Sequence, residues 1–185
     1  MFHVVLDNKE SYFQIRFIGI ENNGKEVIRF DKENDLIIKS DDLQEKGDRD
    51  YFKEAINIKK GEFYFSKINL NEEYGVISLP QIPTLRAASP IYNATNQIIG
   101  IVIINVDLKK LYNSLDRISN AESQLYLINK DGEYLYALEK DKTFASQTES
   151  IDNFYDDFNI EPKKVIEFKS NNEKEPIILN EDYLS

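Results

Sequence analysis

The segment Ile98-Ile99-Gly100-Ile101-Val102-Ile103-Ile104-Asn105-Val106 is apolar at every position except Gly100 and Asn105. A run this rich in β-branched residues, with no polar alternation, reads as a central strand covered on both faces. It follows a second extended run, Leu85 to Tyr92, across Asn93-Ala94-Thr95-Asn96, a turn composition. The two runs predict a long hairpin reaching Leu108. A short amphipathic helix, Lys109 to Ile118, is expected after it, with Leu111, Tyr112, Leu115 and Ile118 on one face.

Upstream, Tyr12 to Ile20 and Glu26 to Asp31 read as two strands joined at Asn22-Asn23-Gly24. Asn-Gly between such runs is a strong hairpin signal. Residues 31–48 are polar and turn-rich, which predicts a loop with one helical turn. Asp48 can then cap a helix from Arg49 to Lys59 carrying an apolar stripe of Tyr51, Phe52, Ala55 and Ile56, closed by Gly61. Phe63 to Leu70 reads as a further strand, with an extended loop through Pro80 and Pro83 behind it.

Beyond Ser119 the pattern restarts. Gln124–Asn129 and Glu133–Leu138 form an expected hairpin across Lys130-Asp131-Gly132, and a short helix is expected near Phe154–Phe158. Val165–Phe168 and Ile177–Leu179 read as short strands. The order predicts an α+β fold, an antiparallel sheet with helices beside it, over 1–118, and a smaller partial repeat of the same kind over 119–185.

Composition narrows the function. Of the 185 residues, 23 are Lys or Arg and 33 are Asp or Glu, a net charge of −10. Residues 1–115 carry −2 and residues 116–185 carry −8. Neither part offers the cationic footprint that nucleic acid requires, so no nucleic-acid partner is expected. Cysteine is absent and His3 is the single histidine. That excludes thiol catalysis, cysteine-ligated metals and multi-histidine centres, and no cofactor or catalytic residue is expected. No apolar run approaches the roughly 18 residues of a helical membrane span. Met1 to Leu6, followed by Asp7, is too short and too weakly basic for a signal peptide. The Asp31, Glu33, Asp35, Asp42 series lacks the glycine a calcium loop needs, since Leu36 stands there. Glu72-Glu73 and Asp156-Asp157 are adjacent pairs, unlike the two facing carboxylates of a glycosidase.

Several segments occur in an informative order: Gln14-Ile15-Arg16, Gly24-Lys25-Glu26-Val27-Ile28-Arg29, Leu43-Gln44-Glu45-Lys46, Asp48-Arg49-Asp50-Tyr51-Phe52, Leu70-Asn71, Pro83-Thr84-Leu85-Arg86, Pro90, and Gly100 through Leu108. Over about residues 12–140 the set resembles the double Cache, PAS-like extracytoplasmic sensor domains of bacterial histidine kinases, diguanylate cyclases and chemoreceptors. The resemblance implies a membrane-distal ligand-sensing module over 1–118, with its long N-terminal helix largely missing. Residues 119–185 would begin a smaller, truncated membrane-proximal module. It further implies a non-catalytic sensor, the extracytoplasmic (periplasmic or cell-surface) part of a membrane-anchored homodimeric receptor, a histidine kinase in the first instance. The alternative is a domain that recognises a soluble periplasmic binding protein and leaves its own pocket unused.

Amino-acid-binding relatives use an Arg-x-Trp-Tyr motif on the helix and an Asp closing the last strand. Arg49-Asp50-Tyr51-Phe52 and Asp107 fall on these elements. Tyr51 replaces Trp, and Phe52 removes a hydroxyl, which shifts the expectation towards a small carboxylate or amine-containing ligand. A guanidinium can fork onto a carboxylate, and an aspartate can accept from an ammonium. The residues themselves also allow plainer roles. Arg49 can pair with Asp48 or Asp50, and Asp107 can cap the following helix. Arg86 shares a strand face with Thr84 and Ala88, as a pocket cation or half of a buried salt bridge. Tyr51, Phe52 and Phe65 can be core aromatics as well as pocket walls. Arg16 and Arg29 read as structural ion pairs on the first hairpin.

Overall fold

The computed structural model describes residues 1–119 and 124–160, which fall into two compact units divided between Ile118 and Ser119. In the first, a short helix α1 (Phe2–Asp7) precedes strands β1 (Tyr12–Gly19), β2 (Glu26–Glu33) and β3 (Leu36–Ser40). Helix α2 (Asp50–Ala55) follows, then four two-residue strands: β4 (Tyr64–Phe65), β5 (Asn69–Leu70), β6 (Glu72–Glu73) and β7 (Val76–Ile77). The long pair β8 (Pro83–Tyr92) and β9 (Ile98–Asp107) leads into α3 (Lys109–Ile118). The main sheet runs β3-β2-β1-β9-β8-β4, with β5 also on β8, and every pairing is antiparallel. The apolar run at 98–106 thus lies between β1 and β8, as its composition requires.

Alternation along the strands builds one face of this sheet from Gln14, Arg16 and Ile18 on β1, Ile101, Ile103 and Asn105 on β9, and Thr84, Arg86 and Ala88 on β8. At one end that face is apolar: Ile18, Ala88, Ile101 and Ile103 pack with Phe52 and Ala55 of α2 in a single buried cluster. At the other end it is polar and still buried: Gln14, Arg16, Arg86 and Asn105 are each at most 5% exposed. The opposite face is met by α1, whose Leu6 is fully buried.

Four elements differ from the sequence expectation. Residues 31–40 are not a loop, although 41–48 are: β2 continues to Glu33, and β3 returns after Asn34 and Asp35, both at positive φ. That backbone is the tight hairpin turn Asn and Asp tolerate, and the charged residues around it hid the Leu36-Ile37-Ile38 signal. Helix α2 stops at Ala55 instead of Lys59, because the Asn57 side chain donates to Lys53 O at 2.6 Å, the carbonyl that the next turn would use. The expected strand 63–70 is two short pieces separated by residues 66–68, where the Ser66 hydroxyl accepts from Arg86 N at 3.0 Å. The extended loop behind it contains the small β6–β7 hairpin.

In the second unit, β10 (Leu127–Ile128) pairs with β11 (Tyr134–Tyr136) across the Lys130–Gly132 turn, and α4 (Phe154–Asp157) is capped by Asn153. Tyr134, Leu135, Tyr136, Ala137 and Phe144 are buried. The segments 165–168 and 177–179 lie outside the described residues.

Candidate functional site

A cavity of about 410 Å³ opens beside the polar end of the first unit's sheet. Its lining comes from β1 (Arg16), β9 (Asn105), β8 (Arg86), α2 and its entry (Asp48 to Tyr51, Glu54), β4 and the residues after it (Tyr64 to Lys67), β5 (Asn69), Asn71, Glu72 and Lys46.

Two glycines allow this convergence. Gly24 has φ +65°, and a Cβ on it would sit 2.8 Å from the Gly47 backbone. A Cβ on Gly47 would sit 2.4 Å from Asn23 O. With neither side chain present, residues 44–47 lie directly on the β1–β2 turn, through Lys46 N to Gly24 O at 2.9 Å and Gly47 N to Asn23 O at 2.8 Å. That docking delivers Lys46 to the cavity wall and starts α2 immediately afterwards.

The two deep arginines differ in their partners. Arg16, 2% exposed, pairs with Glu26 at 3.2 Å and donates to Asn105 Oδ1 at 2.9 Å. Burial acts to lower its pKa, but Tyr51 and Glu26 outweigh burial and raise it. Its Nε has no hydrogen-bond partner among the described residues. Arg86, 5% exposed, donates to the amide oxygens of Asn69 and Asn71, and among the described residues it makes no ion pair. Burial, and then the charge of Arg16, pull the Arg86 guanidinium down to about 10. The two guanidiniums lie 5.6 and 5.5 Å from the Tyr51 ring centroid, whose π-system partly offsets their repulsion. Lys46 is buried as well: burial and then Arg16 lower its pKa, and it donates to Gln44 Oε1 at 2.6 Å.

Next to the cavity a closed network holds the sheet together. Arg29 pairs with Asp31 at 2.8 Å and with Glu73 at 3.1 Å. Gln44 and Gln14 donate to Glu73 at 2.7 and 3.1 Å. Burial alone would raise the Glu73 carboxyl; Arg29 and these two amides instead hold it at about 2.

Of the residues singled out by sequence, Arg49, Tyr51, Phe65 and Arg86 meet at this cavity. Phe65 is a rim residue at 62% exposure, not a core aromatic. Arg49 pairs with Glu72 at 3.1 Å and lies 3.9 Å from Asp48. Phe52 and Asp107 stand outside the described lining. Phe52 belongs to the apolar cluster, and Asp107 Oδ1 accepts from Lys109 N at 2.7 Å, satisfying a free amide at the start of α3. Arg16 and Arg29 carry the ion pairs expected of them, but Arg16 also walls the cavity. Lys46, Asn69, Asn71, Glu72 and Asn105 were not anticipated. Only Asn105 carried a signal, as the polar break in an apolar strand.

A mostly antiparallel sheet with few helices is the fold of PAS-like sensor domains of the Cache type. The profile of the bacterial histidine kinase sensor domain matches residues 1–164, and the chain belongs to that family, which is non-catalytic. Three solved structures share the fold. A domain of a sensory box/GGDEF family protein from Vibrio parahaemolyticus is 24% identical, with TM-score 0.71 over 86% of this chain and 60% of that one. The extracellular domain of the histidine kinase vpHK1S-Z8 is 24% identical, with TM-score 0.69 over 86% and 57%. The ligand-binding domain of the Pseudomonas aeruginosa amino acid chemoreceptor PctC, in complex with GABA, is 10% identical, with TM-score 0.52 over 81% and 57%. The chain therefore spans 60% or less of each of these domains. No curated protein matches the chain.

Proposed function

We propose that the first unit is the ligand-sensing module of an extracytoplasmic receptor domain, in a membrane-anchored, dimeric histidine kinase. It binds a small molecule carrying a carboxylate, with or without an amine, in the cavity beside α2. The observation that carries this reading is Arg86: a buried cation with amide partners, facing an open cavity. A buried charge without a counter-ion is costly, and a ligand carboxylate is the group that would relieve it. Each charge-assisted hydrogen bond formed there contributes about 1.5–3 kcal/mol. Asp50, which also lines the cavity, offers an acceptor for an amine. The GABA complex of the PctC domain supports a small carboxylate as the ligand class on this fold.

Signalling would follow from differential binding. A ligand that prefers one arrangement of α2 and the 69–83 segment shifts the population towards it.

A thermal-shift screen with small carboxylates, amino acids and amines tests the assignment. A ligand at 100 times its Kd stabilises by about 2.7 kcal/mol, several degrees at this size. The expected hit is a carboxylate whose shift disappears in Arg86→Met.

A second reading, recognition of a soluble periplasmic binding protein, is favoured by one feature. A groove of about 1050 Å³ at the far end of the sheet is lined in part by exposed Ile20, Val27 and Ile99. Silence of a folded sample across the whole screen would favour that reading.

A further inference from the structure

Besides exposed Lys67, four cations line the cavity, and they are not equally available. Arg16 is held by Glu26, while Lys46 and Arg86 meet amides. Arg49 is covered by a carboxylate from the β6–β7 hairpin, Glu72, at 3.1 Å. Both members of that pair line the cavity, and their side chains are 32% and 28% exposed. Solvent and solutes therefore reach them.

The hairpin is built so that Glu72 stays there. Glu72 and Glu73 are consecutive in one short strand, so their side chains leave it in opposite directions. Glu73 enters the Arg29, Gln44 and Gln14 network, where its charged form is strongly favoured. Asn71 fixes the base of the hairpin, through Asn71 N to Ile82 O and Ser78 N to Asn71 O, both at 2.9 Å. With Glu73 clamped, the neighbouring carboxylate is presented to Arg49 as a tethered group. A short tether gives such a group an effective concentration of order millimolar.

We infer that Glu72 is a built-in counter-anion that sets the charge specificity of the cavity by withholding Arg49 from a second ligand carboxylate. This rests on the reading of the cavity as a carboxylate site. One carboxylate can dock at Arg86 without disturbing the Arg49–Glu72 pair. A dicarboxylate reaching for both arginines has to displace Glu72 and leave it facing Asp48 and Asp50. The cavity of the native chain therefore selects single carboxylates over double ones of the same length.

Butyrate and succinate, four-carbon acids with one and two carboxylates, are the probes. Their Kd values are measured by titration calorimetry on the whole chain and on Glu72→Gln, Glu72→Gln/Arg49→Gln and Glu54→Gln, each shown to be folded by its thermal melt. Glu54→Gln removes a lining carboxylate that is not paired with Arg49, and so measures the general effect of lost negative charge.

The expected result is a gain of at least tenfold for succinate in Glu72→Gln, with butyrate changed less than threefold. The gain should disappear in the double variant and be absent in Glu54→Gln. An unchanged succinate-to-butyrate ratio in Glu72→Gln, or an equal gain in Glu54→Gln, overturns the role of Glu72 and leaves the carboxylate site standing. If neither acid binds the native chain or any variant, the carboxylate site itself is wrong and the inference falls with it.

Discussion

Arg16 and Arg86 lie on the same face of one sheet, flank the same tyrosine ring and are almost equally buried. On the β1–β2 side, the buried cation Arg16 meets Glu26, and Arg29 meets Asp31 and Glu73; these side chains are also fastened by amides. On the β8–β5 side, the hydrogen-bond partners of Arg86 among the described residues are asparagine oxygens, and an open cavity begins beside it. The first region has the chemistry of a structural clamp. The second has a charge that no carboxylate pairs directly among the described residues, with Glu72 acting on it only electrostatically. Burial alone does not distinguish structure from site here; the identity of the partner does.

If that contrast is correct, substitutions on the two sides should differ in kind. The largest effect is expected for Glu26→Gln, which strands Arg16 without a carboxylate. Breaking one half of a buried pair costs about 3–5 kcal/mol, read as a fall in melting temperature of roughly ten degrees or more. Glu73→Gln should cost about 2–3 kcal/mol at neutral pH, and its effect should depend on pH. The folded Glu73 carboxyl is held at about 2 against an ordinary 4.5. Its contribution is therefore present above about 4.5 and lost as pH falls towards 2. Urea melts of native and Glu73→Gln protein should converge across that window; a gap that stays constant down to pH 2 would remove Glu73 from the clamp.

Arg86→Met should cost less, about 1–2 kcal/mol, because the loss is confined to donors for Asn69 and Asn71 and an unpaired buried charge disappears. A loss as large as that of Glu26→Gln would make Arg86 a structural residue and erase the contrast. The smallest effect is expected for Asp107→Ala, about 0.5–1 kcal/mol from the lost cap of α3, with carboxylate binding unchanged. Weakened binding in that variant would return Asp107 to the site.

The sheet centre was legible because its signals are local. The apolar run at 98–106, the Asn-Gly turn at 23–24 and the turn at 93–96 each specify structure through their own residues. Strand β3 was not, since Lys32, Asp35 and Lys39 masked a short apolar run behind an Asn-Asp turn. For the cavity, Arg49, Tyr51, Phe65 and Arg86 could be singled out from the helix, the strand faces and a family resemblance. Lys46, Asn69, Asn71 and Glu72 could not. They arrive from loops and two-residue strands whose positions depend on contacts such as Gly24 against Gly47, far apart in sequence and without any periodicity. Asp107 shows the converse: a residue placed correctly on its strand, whose side chain is taken by the nearest free helix amide.

Titration calorimetry of native protein and Arg86→Met, with the carboxylate that gives the largest thermal shift, addresses the role of Arg86 most directly. The expected result is binding to native protein and a loss of at least tenfold in Arg86→Met, whose unliganded melting temperature stays within a few degrees of native. Equal affinity in the two proteins would contradict it, and would place the ligand on some group other than Arg86.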